Sequence, residues 1–148
     1  FDSIVYAGEE CKIIVEKDLR KLKVQFASIF IMAAKKEKLK VSNFLKTIYG
    51  IKIDRTLSDG EKIEFGKHLL TVRKAPGHSQ GSIIVIVDGL TVFTGDSLFS
   101  DREVVTNLPG GSQIEYKAVT MPILCSLNRE AVVYPGHGEA TLVADIWR

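Results

Sequence analysis

Three metal-ligand side chains each follow a glycine that ends an apolar run, and this recurrence constrains the fold more than any other feature of the sequence. The three segments are Ala75-Pro76-Gly77-His78, Thr94-Gly95-Asp96 and Tyr134-Pro135-Gly136-His137. The preceding runs, at residues 68–75, 91–93 and 131–134, are rich in β-branched and aromatic residues, as is typical of strands. Strand ends in one sheet can meet in space, so the pattern predicts that two imidazoles and one carboxylate converge on a cation.

The two Pro-Gly-His sequences predict imidazoles on rigid turns, because proline fixes the backbone and glycine permits a close approach. For one histidine alone, a turn cap or a hydrogen bond to backbone would be the simpler interpretation. Asp96 has a similar alternative, as a turn residue that accepts hydrogen bonds from nearby amides. His68 lies within an alternating run without a glycine turn, so we assign it a structural role.

Composition predicts one domain, residues 1–148, with 45% hydrophobic residues and hence a buried core. The net charge of +2 gives no electrostatic reason to expect a nucleic-acid or membrane partner. No apolar stretch approaches the roughly 20 residues of a membrane span, so we expect a soluble, cytoplasmic protein. Cys11 and Cys125 are too few for a disulfide scaffold and are interpreted as buried thiols.

The pattern along the chain predicts a mixed α/β domain. Near the start we expect a short helix at residues 3–10, a strand at 11–15 and a helix at 17–23. Residues 24–53 are difficult to divide, although their apolar residues have helical spacing.

The second half of the sequence predicts two β-hairpins followed by a helix and a last strand. The predicted strands are residues 62–65, 68–75, 82–87, 90–93 and 131–134. The consecutive apolar residues 83–87 indicate a strand covered on both faces. Ser112-Gln113-Ile114-Glu115 fits a capping box at the start of a helix that runs toward Leu127 and that Pro122 kinks or restarts.

The ligand motifs together resemble the metallo-β-lactamase fold hydrolases, especially the branch near hydroxyacylglutathione hydrolase (glyoxalase II). The matching sequences are His78-Ser79-Gln80-Gly81-Ser82, Phe93-Thr94-Gly95-Asp96-Ser97-Leu98-Phe99 and Val133-Tyr134-Pro135-Gly136-His137-Gly138. The resemblance extends from about residue 59 to residue 141 and implies an αββα sandwich, of which this chain holds mainly the C-terminal half plus part of the first. It also implies a two-metal site in which His78 binds the first ion, His137 the second, and Asp96 bridges them. Zinc is the metal we expect, with iron or manganese as alternatives.

The family takes further ligands from an upstream His-x-His-x-Asp-His motif, which this sequence does not contain. The opening Phe1-Asp2-Ser3 resembles the Phe-Asp-His part of that motif. Asp2 would then be a metal ligand, Ser3 would occupy the position of the last histidine, and the chain would be truncated at its N-terminus. A frayed terminus without a ligand is the other interpretation of Asp2.

The resemblance implies that the intact protein is a metal-dependent hydrolase in which a metal-bound hydroxide attacks an ester, thioester or lactam carbonyl of a small-molecule substrate. Asp96 is then the catalytic residue as well as a ligand. The alternative is a non-catalytic binding or assembly module, or an inactive fragment of the same fold. A third interpretation is a redox relative that holds two irons. Half of a sandwich leaves a sheet face uncovered, so we expect a homo-oligomer or association with the missing N-terminal segment.

Overall fold

The computed structural model describes residues 4–17 and 52–147, and the side chains of residues 4–13 and 52–147. The chain divides into two compact units, Phe1–Thr56 and Leu57–Arg148. In the described residues, no helix is long and apolar enough to cross a membrane.

The first unit begins with strand β1 (Tyr6–Gly8), which leads directly into helix α1 (Glu9–Lys17). Strand β1 pairs with β2 (Arg55–Leu57), and the Arg55 guanidinium lies 5.7 Å from the Tyr6 ring centroid. The sequence prediction of a helix at residues 3–10 and a strand at 11–15 is therefore wrong, since the two elements occur in the opposite order.

The physical reason for this error lies in the first turn of α1. Glu9 and Glu10 place negative charge at the helix N-terminus, where it interacts favourably with the helix dipole. This local preference and tertiary context outweigh the β-propensity of the Ile-Ile-Val sequence that follows. The predicted helix at 17–23 and the segment 24–53 lie outside the described residues, except for residues 17, 52 and 53.

The second unit contains a six-stranded sheet in the order β3-β4-β5-β6-β7-β8. These strands are Lys62–Phe65, His68–Lys74, Ile83–Val87, Thr91–Gly95, Val132–Pro135 and Thr141–Leu142. Both predicted hairpins are confirmed, since β3 pairs antiparallel with β4 and β5 with β6. Asp88 and Gly89 join β5 to β6 with φ values of 51° and 73°, as a tight hairpin turn requires.

The direction of the strands brings three strand ends to one edge of this sheet. Strands β4 and β6 are both antiparallel to β5 and therefore run in the same direction. Strand β7 pairs parallel with β6. The carboxyl ends of β4, β6 and β7 consequently lie at the same edge, and each is followed by one of the three predicted ligand turns.

One face of the sheet forms the hydrophobic core with the helices of this unit. Ile84, Val92 and Val133 on the sheet are fully buried with Leu124 and Val143 from helical segments. Fully burying such a side chain is worth about 1.5–3 kcal/mol.

The opposite face is apolar but more exposed. It carries Phe93 and Tyr134, which are adjacent in the β6–β7 register and whose rings stack with centroids 5.5 Å apart. Their exposed fractions are 48% and 44%. Strand β5, which the sequence predicts to be covered on both faces, has Ile84 buried and its other four residues partly buried.

The helical segment between β6 and β7 starts where the capping box predicts. Ser112 is the N-cap, and its Oγ accepts a hydrogen bond from the Glu115 amide at 3.2 Å. Helix α2 (Gln113–Glu115) continues as a π-helix (Tyr116–Thr120) and then as α3 (Met121–Cys125). A last short helix, α4, is Val143–Ile146.

Pro122 restarts this segment as predicted, because it occupies the first turn of α3, where a missing backbone N–H costs little. The prediction of buried thiols is wrong. Cys125 ends α3 on its exposed side, and Cys11 is partly exposed on α1. The partial burial of Cys11 still raises the pKa of its thiol.

Candidate metal centre

The His78 turn follows β4, and two contacts fix it: one at the preceding glycine and one at the imidazole itself. Gly77 has a φ of 143°, and a β-carbon at this residue would lie 2.5 Å from Cβ of Tyr116, so no larger residue fits. The Nδ1 atom of His78 lies 2.9 Å from the carbonyl oxygen of Val105. A carbonyl oxygen only accepts hydrogen bonds, so Nδ1 carries a proton, and in the corresponding neutral tautomer Nε2 presents a lone pair.

The Asp96 turn follows β6. Gly95 takes up a φ of 52°, and the Ser97 amide donates to the Thr94 carbonyl at 3.1 Å. Thr94 is buried, which anchors the start of the turn in the core. The Oδ2 atom of Asp96 faces Nε2 of His78 at 3.5 Å.

The His137 turn follows β7 and lies against the Asp96 turn. The Gly136 amide donates to the Gly95 carbonyl at 2.8 Å, which continues the β6–β7 pairing one step beyond the strands. Nε2 of His137 lies 3.8 Å from Oδ1 of Asp96. The structure thus brings together the three residues singled out in the sequence, with each imidazole facing a different oxygen of one carboxylate.

The two distances match ligands that share an ion better than ligands that share a proton. A charge-assisted hydrogen bond between imidazolium and carboxylate would be about 2.7–2.9 Å long. Two ligands that each lie about 2.1 Å from one tetrahedral ion would be about 3.4 Å apart. Nε2 of His78 faces a carboxylate oxygen, and a cation between a neutral imidazole and that oxygen would stabilise the arrangement.

The three side chains fit a metal ion in type but form only part of a site. Within residues 4–13 and 52–147, no group of three or more His, Cys, Asp or Glu side chains is arranged to hold an ion by itself. The pairs His78–Asp96 and His137–Asp96 are instead two half-sites joined by a carboxylate. His137 is exposed to 73%, whereas His78 and Asp96 are exposed to 27% and 32%. The rim, which is the edge of the sheet that carries the His78, Asp96 and His137 turns, is therefore open to solvent.

The other predicted site residues lie elsewhere. His68 pairs with Asp88 through Nδ1 and Oδ2 at 2.6 Å, which agrees with its predicted structural role. Asp2, the predicted fourth ligand, lies outside the described residues.

A cavity of about 520 Å³ adjoins the site without including any of the three ligands. Its lining includes Phe99, Arg102, Tyr116, Lys117 and Trp147. Tyr116 connects the cavity to the rim, because its ring lines the cavity and its hydroxyl donates to the Ser97 carbonyl at 3.1 Å. Sequence analysis did not identify Tyr116, although the predicted helix start at Ser112 placed it one turn into a helix.

Comparison with known proteins gives partial matches to curated sequences. No family model matches the sequence. Among curated proteins, an uncharacterised protein of Mycobacterium tuberculosis is 35% identical over 99 residues, which are 63% of this chain and 43% of the relative. A hydroxyacylglutathione hydrolase of Brucella anthropi is 36% identical over 90 residues, or 57% of this chain and 32% of the relative. The mitochondrial persulfide dioxygenase ETHE1 of Homo sapiens is 30% identical over 95 residues, which are 63% of this chain and 37% of the relative.

Solved structures of other proteins superpose on this chain. The BLEG-1 B3 metallo-β-lactamase superposes with a TM-score of 0.72 at 22% identity and covers 98% of this chain and 62% of its own. TTHA1623 in a di-iron-bound form superposes with a TM-score of 0.65 at 27% identity, covering 98% and 62%. The chain therefore has the fold of the metallo-β-lactamase superfamily proteins, and its predicted α/β class is confirmed. It spans less than half the length of the curated relatives it matches.

Proposed function

We propose that the protein is a metal-dependent hydrolase whose centre includes His78, Asp96 and His137. One observation supports this most directly. The Nε2 atoms of His78 and His137 face the two carboxylate oxygens of Asp96, at 3.5 and 3.8 Å. A bound divalent ion pair would supply Lewis-acid activation of a carbonyl and a water of lowered pKa. No serine or cysteine nucleophile is then required, so the exposed Cys125 has no part in the proposed reaction.

The chain's own residues have distinct roles in this proposal. The Val105 carbonyl fixes the tautomer of His78, so that Nε2 is the ligand atom. Asp96 presents one oxygen to each half-site and holds the two imidazoles in register. This sequence has no further histidine to offer as a ligand. It contains three histidines, and the third, His68, pairs with Asp88.

The substrate class that we propose is a small ester or thioester. The relative in Brucella anthropi is named as a hydroxyacylglutathione hydrolase, and at 36% identity it is slightly closer to this chain than the human dioxygenase at 30%. A thioester carbonyl is also a carbonyl that two metal ions can polarise.

The proposed function is tested by metal analysis and hydrolysis. The natural full-length product that contains this sequence is purified, its metal content is measured by elemental analysis, and cleavage of a series of thioesters and esters is followed. We expect bound divalent metal and hydrolysis that is lost in Asp96→Asn but kept in Asp101→Asn, a matched change at an exposed carboxylate. Protein that is metal-free and inert toward every substrate would contradict the proposal.

A second candidate is an iron-dependent oxidation, which the 30% identity to a persulfide dioxygenase and the fold shared with a di-iron-bound protein favour. Imidazole and carboxylate ligands suit iron as well as zinc. Iron as the bound metal, together with oxygen consumption in the presence of a persulfide, would select this candidate. Zinc with no oxygen consumption would select the hydrolase.

We further propose that the exposed apolar face around Phe93 and Tyr134 is an association surface for a second β-sheet. Two stacked aromatic rings, each more than two fifths exposed, lie in the middle of that face next to the rim. Sheets with an apolar face are stable when that face packs against another layer. The occupant that we propose for this surface is the same face of a second copy of the 148-residue chain.

A further inference from the structure

One helical segment holds both the His78 turn and the Asp96 turn through separate contacts. The amide of Ser112 donates to the Gly77 carbonyl at 2.8 Å. The hydroxyl of Thr120 donates to the Pro76 carbonyl at 2.5 Å. Between these residues, the Tyr116 hydroxyl donates to the Ser97 carbonyl at 3.1 Å, and Ser97 directly follows Asp96.

Tyr116 is the residue of this segment that contacts both turns. Its Cβ and ring edge lie so close to Gly77 that a β-carbon there would be 2.5 and 2.8 Å from them. Its hydroxyl reaches the other turn at Ser97. Burial raises the pKa of Tyr116, so the hydroxyl is protonated and able to donate over the neutral range.

The backbone of the segment is unusual at the same place. Residues Tyr116–Thr120 form a π-helix between two short α-helices. A π-helical turn is rare, and such turns are frequent at functional sites. Here the π-helix begins at the residue that contacts both turns and ends at Thr120, which is fully buried.

We propose that Tyr116 is a positioning residue that couples the His78 turn to the Asp96 turn and thereby sets the separation of the two side chains. This inference rests on the proposed metal centre, but the coupling itself is a property of the protein that can be measured without metal. Tyr116 acts through Gly77 and Ser97 and does not touch the reacting atoms.

The direct test is Tyr116→Phe, which removes the hydrogen bond and keeps the ring against Gly77. The matched control is Tyr134→Phe, because Tyr134 lies near the same rim and, in the described residues, its hydroxyl makes no hydrogen bond. Co²⁺ is titrated into each protein, and its visible absorption reports both affinity and ligand geometry. We expect Tyr116→Phe to weaken Co²⁺ binding roughly tenfold or more and to alter the spectrum, as for other outer-shell partners of ligands. Tyr134→Phe is expected to behave as the original protein.

A metal-free measurement separates this inference from the proposed function. Backbone amide resonances of His78 and Ser79 and of Asp96 and Ser97 are compared by NMR in protein freed of metal with a chelator. Coupling predicts that Tyr116→Phe shifts both groups of resonances. Shifts confined to Asp96 and Ser97 would overturn the inference, as would Co²⁺ binding equal to that of the original protein. Failure of the original protein to bind Co²⁺ would count against the proposed function, and the NMR result would still decide the coupling.

Thr120 provides an independent pair of variants if Tyr116→Phe does not fold. Thr120→Val removes the hydroxyl that donates to Pro76 at nearly constant volume, and Thr120→Ser keeps it. We expect the His78 and Ser79 resonances to shift in Thr120→Val and to stay close to their original positions in Thr120→Ser. Equal spectra for the two variants would show that the helical segment does not hold the turn, and the inference would be overturned.

Discussion

Gly136 lies so close to Asp96 that a β-carbon at residue 136 would overlap the Oδ1 atom of the carboxylate. This oxygen is the one that faces His137, at 3.8 Å. Glycine is therefore needed at residue 136 for a steric reason that concerns the candidate site, and not for an unusual backbone conformation.

Gly136→Ala is expected to displace the Asp96 carboxylate and weaken metal binding roughly tenfold to a hundredfold, the range found when a ligand loses its orientation. The measurement is a Zn²⁺ or Co²⁺ titration alongside thermal unfolding. Gly66→Ala is the control, since Gly66 has a positive φ of 62° and open space around its α-carbon. It should cost about 1–2 kcal/mol of stability through backbone strain and leave metal affinity unchanged. Equal metal affinities in the two variants would contradict the steric argument.

The bridging role that we propose for Asp96 predicts different metal stoichiometries for variants of the three candidate ligands. His78→Ala and His137→Ala each remove one half-site, so each is expected to reduce bound metal by about half, in line with separate ions on separate ligands. Asp96→Asn weakens both half-sites and is expected to lose most of the metal. Elemental analysis after gel filtration measures this. Identical stoichiometry in the two histidine variants and in Asp96→Asn would point to one shared ion.

The His68–Asp88 pair predicts acid-dependent stability. The hydrogen bond from His68 is the largest cause that holds the pKa of Asp88 below its usual value, and the Leu69 amide adds to it. Because the folded-state pKa is lowered, the pair stabilises the fold above the ordinary carboxyl pKa of about 3.9, and the stabilisation disappears as the pH falls through the lowered value.

The test of this pair compares urea midpoints of the original protein and Asp88→Asn across the acid range. Asparagine tolerates the φ of 51° at this residue, so the substitution removes mainly the charge. We expect the original protein to be more stable near neutral pH and the difference to vanish in strong acid. A difference that stays constant with pH would mean that the carboxylate charge does not contribute. Both side chains are well exposed, so the effect should be small and should decrease with salt.

The proposed association surface predicts a change in oligomeric state. Phe93→Lys places a charge in the middle of the exposed apolar face and is expected to shift the 148-residue chain toward monomer in sedimentation equilibrium. Ile114→Lys is the matched control, because Ile114 is 82% exposed on helix α2 and away from the sheet. A chain that is monomeric before any substitution, or that responds equally to both, would argue against this surface.

Local sequence determined much of the second unit. Asp88-Gly89 specifies a turn with positive φ, and the flanking alternation specifies the strands, so the hairpin follows from neighbouring residues alone. The Ser112 cap and Pro122 likewise fix where helical segments start, because each satisfies or removes backbone groups within a few residues. The glycine before each candidate ligand also predicted local structure, since each marks the end of a strand and the start of a turn.

The meeting of those ligands was decided by tertiary structure. Strand direction at β6 and β7 determines which ends share an edge, and it depends on pairing between residues about forty positions apart. The order of β1 and α1 was mispredicted for a related reason, since Ile13 has a β-propensity that the rest of the structure overrides. The sequence by itself thus determined which side chains could bind a metal and that each sits on a rigid turn. Only the folded structure brought those side chains together, because contacts such as Tyr116 with Gly77 and Gly136 with Asp96 join segments that are remote in the chain.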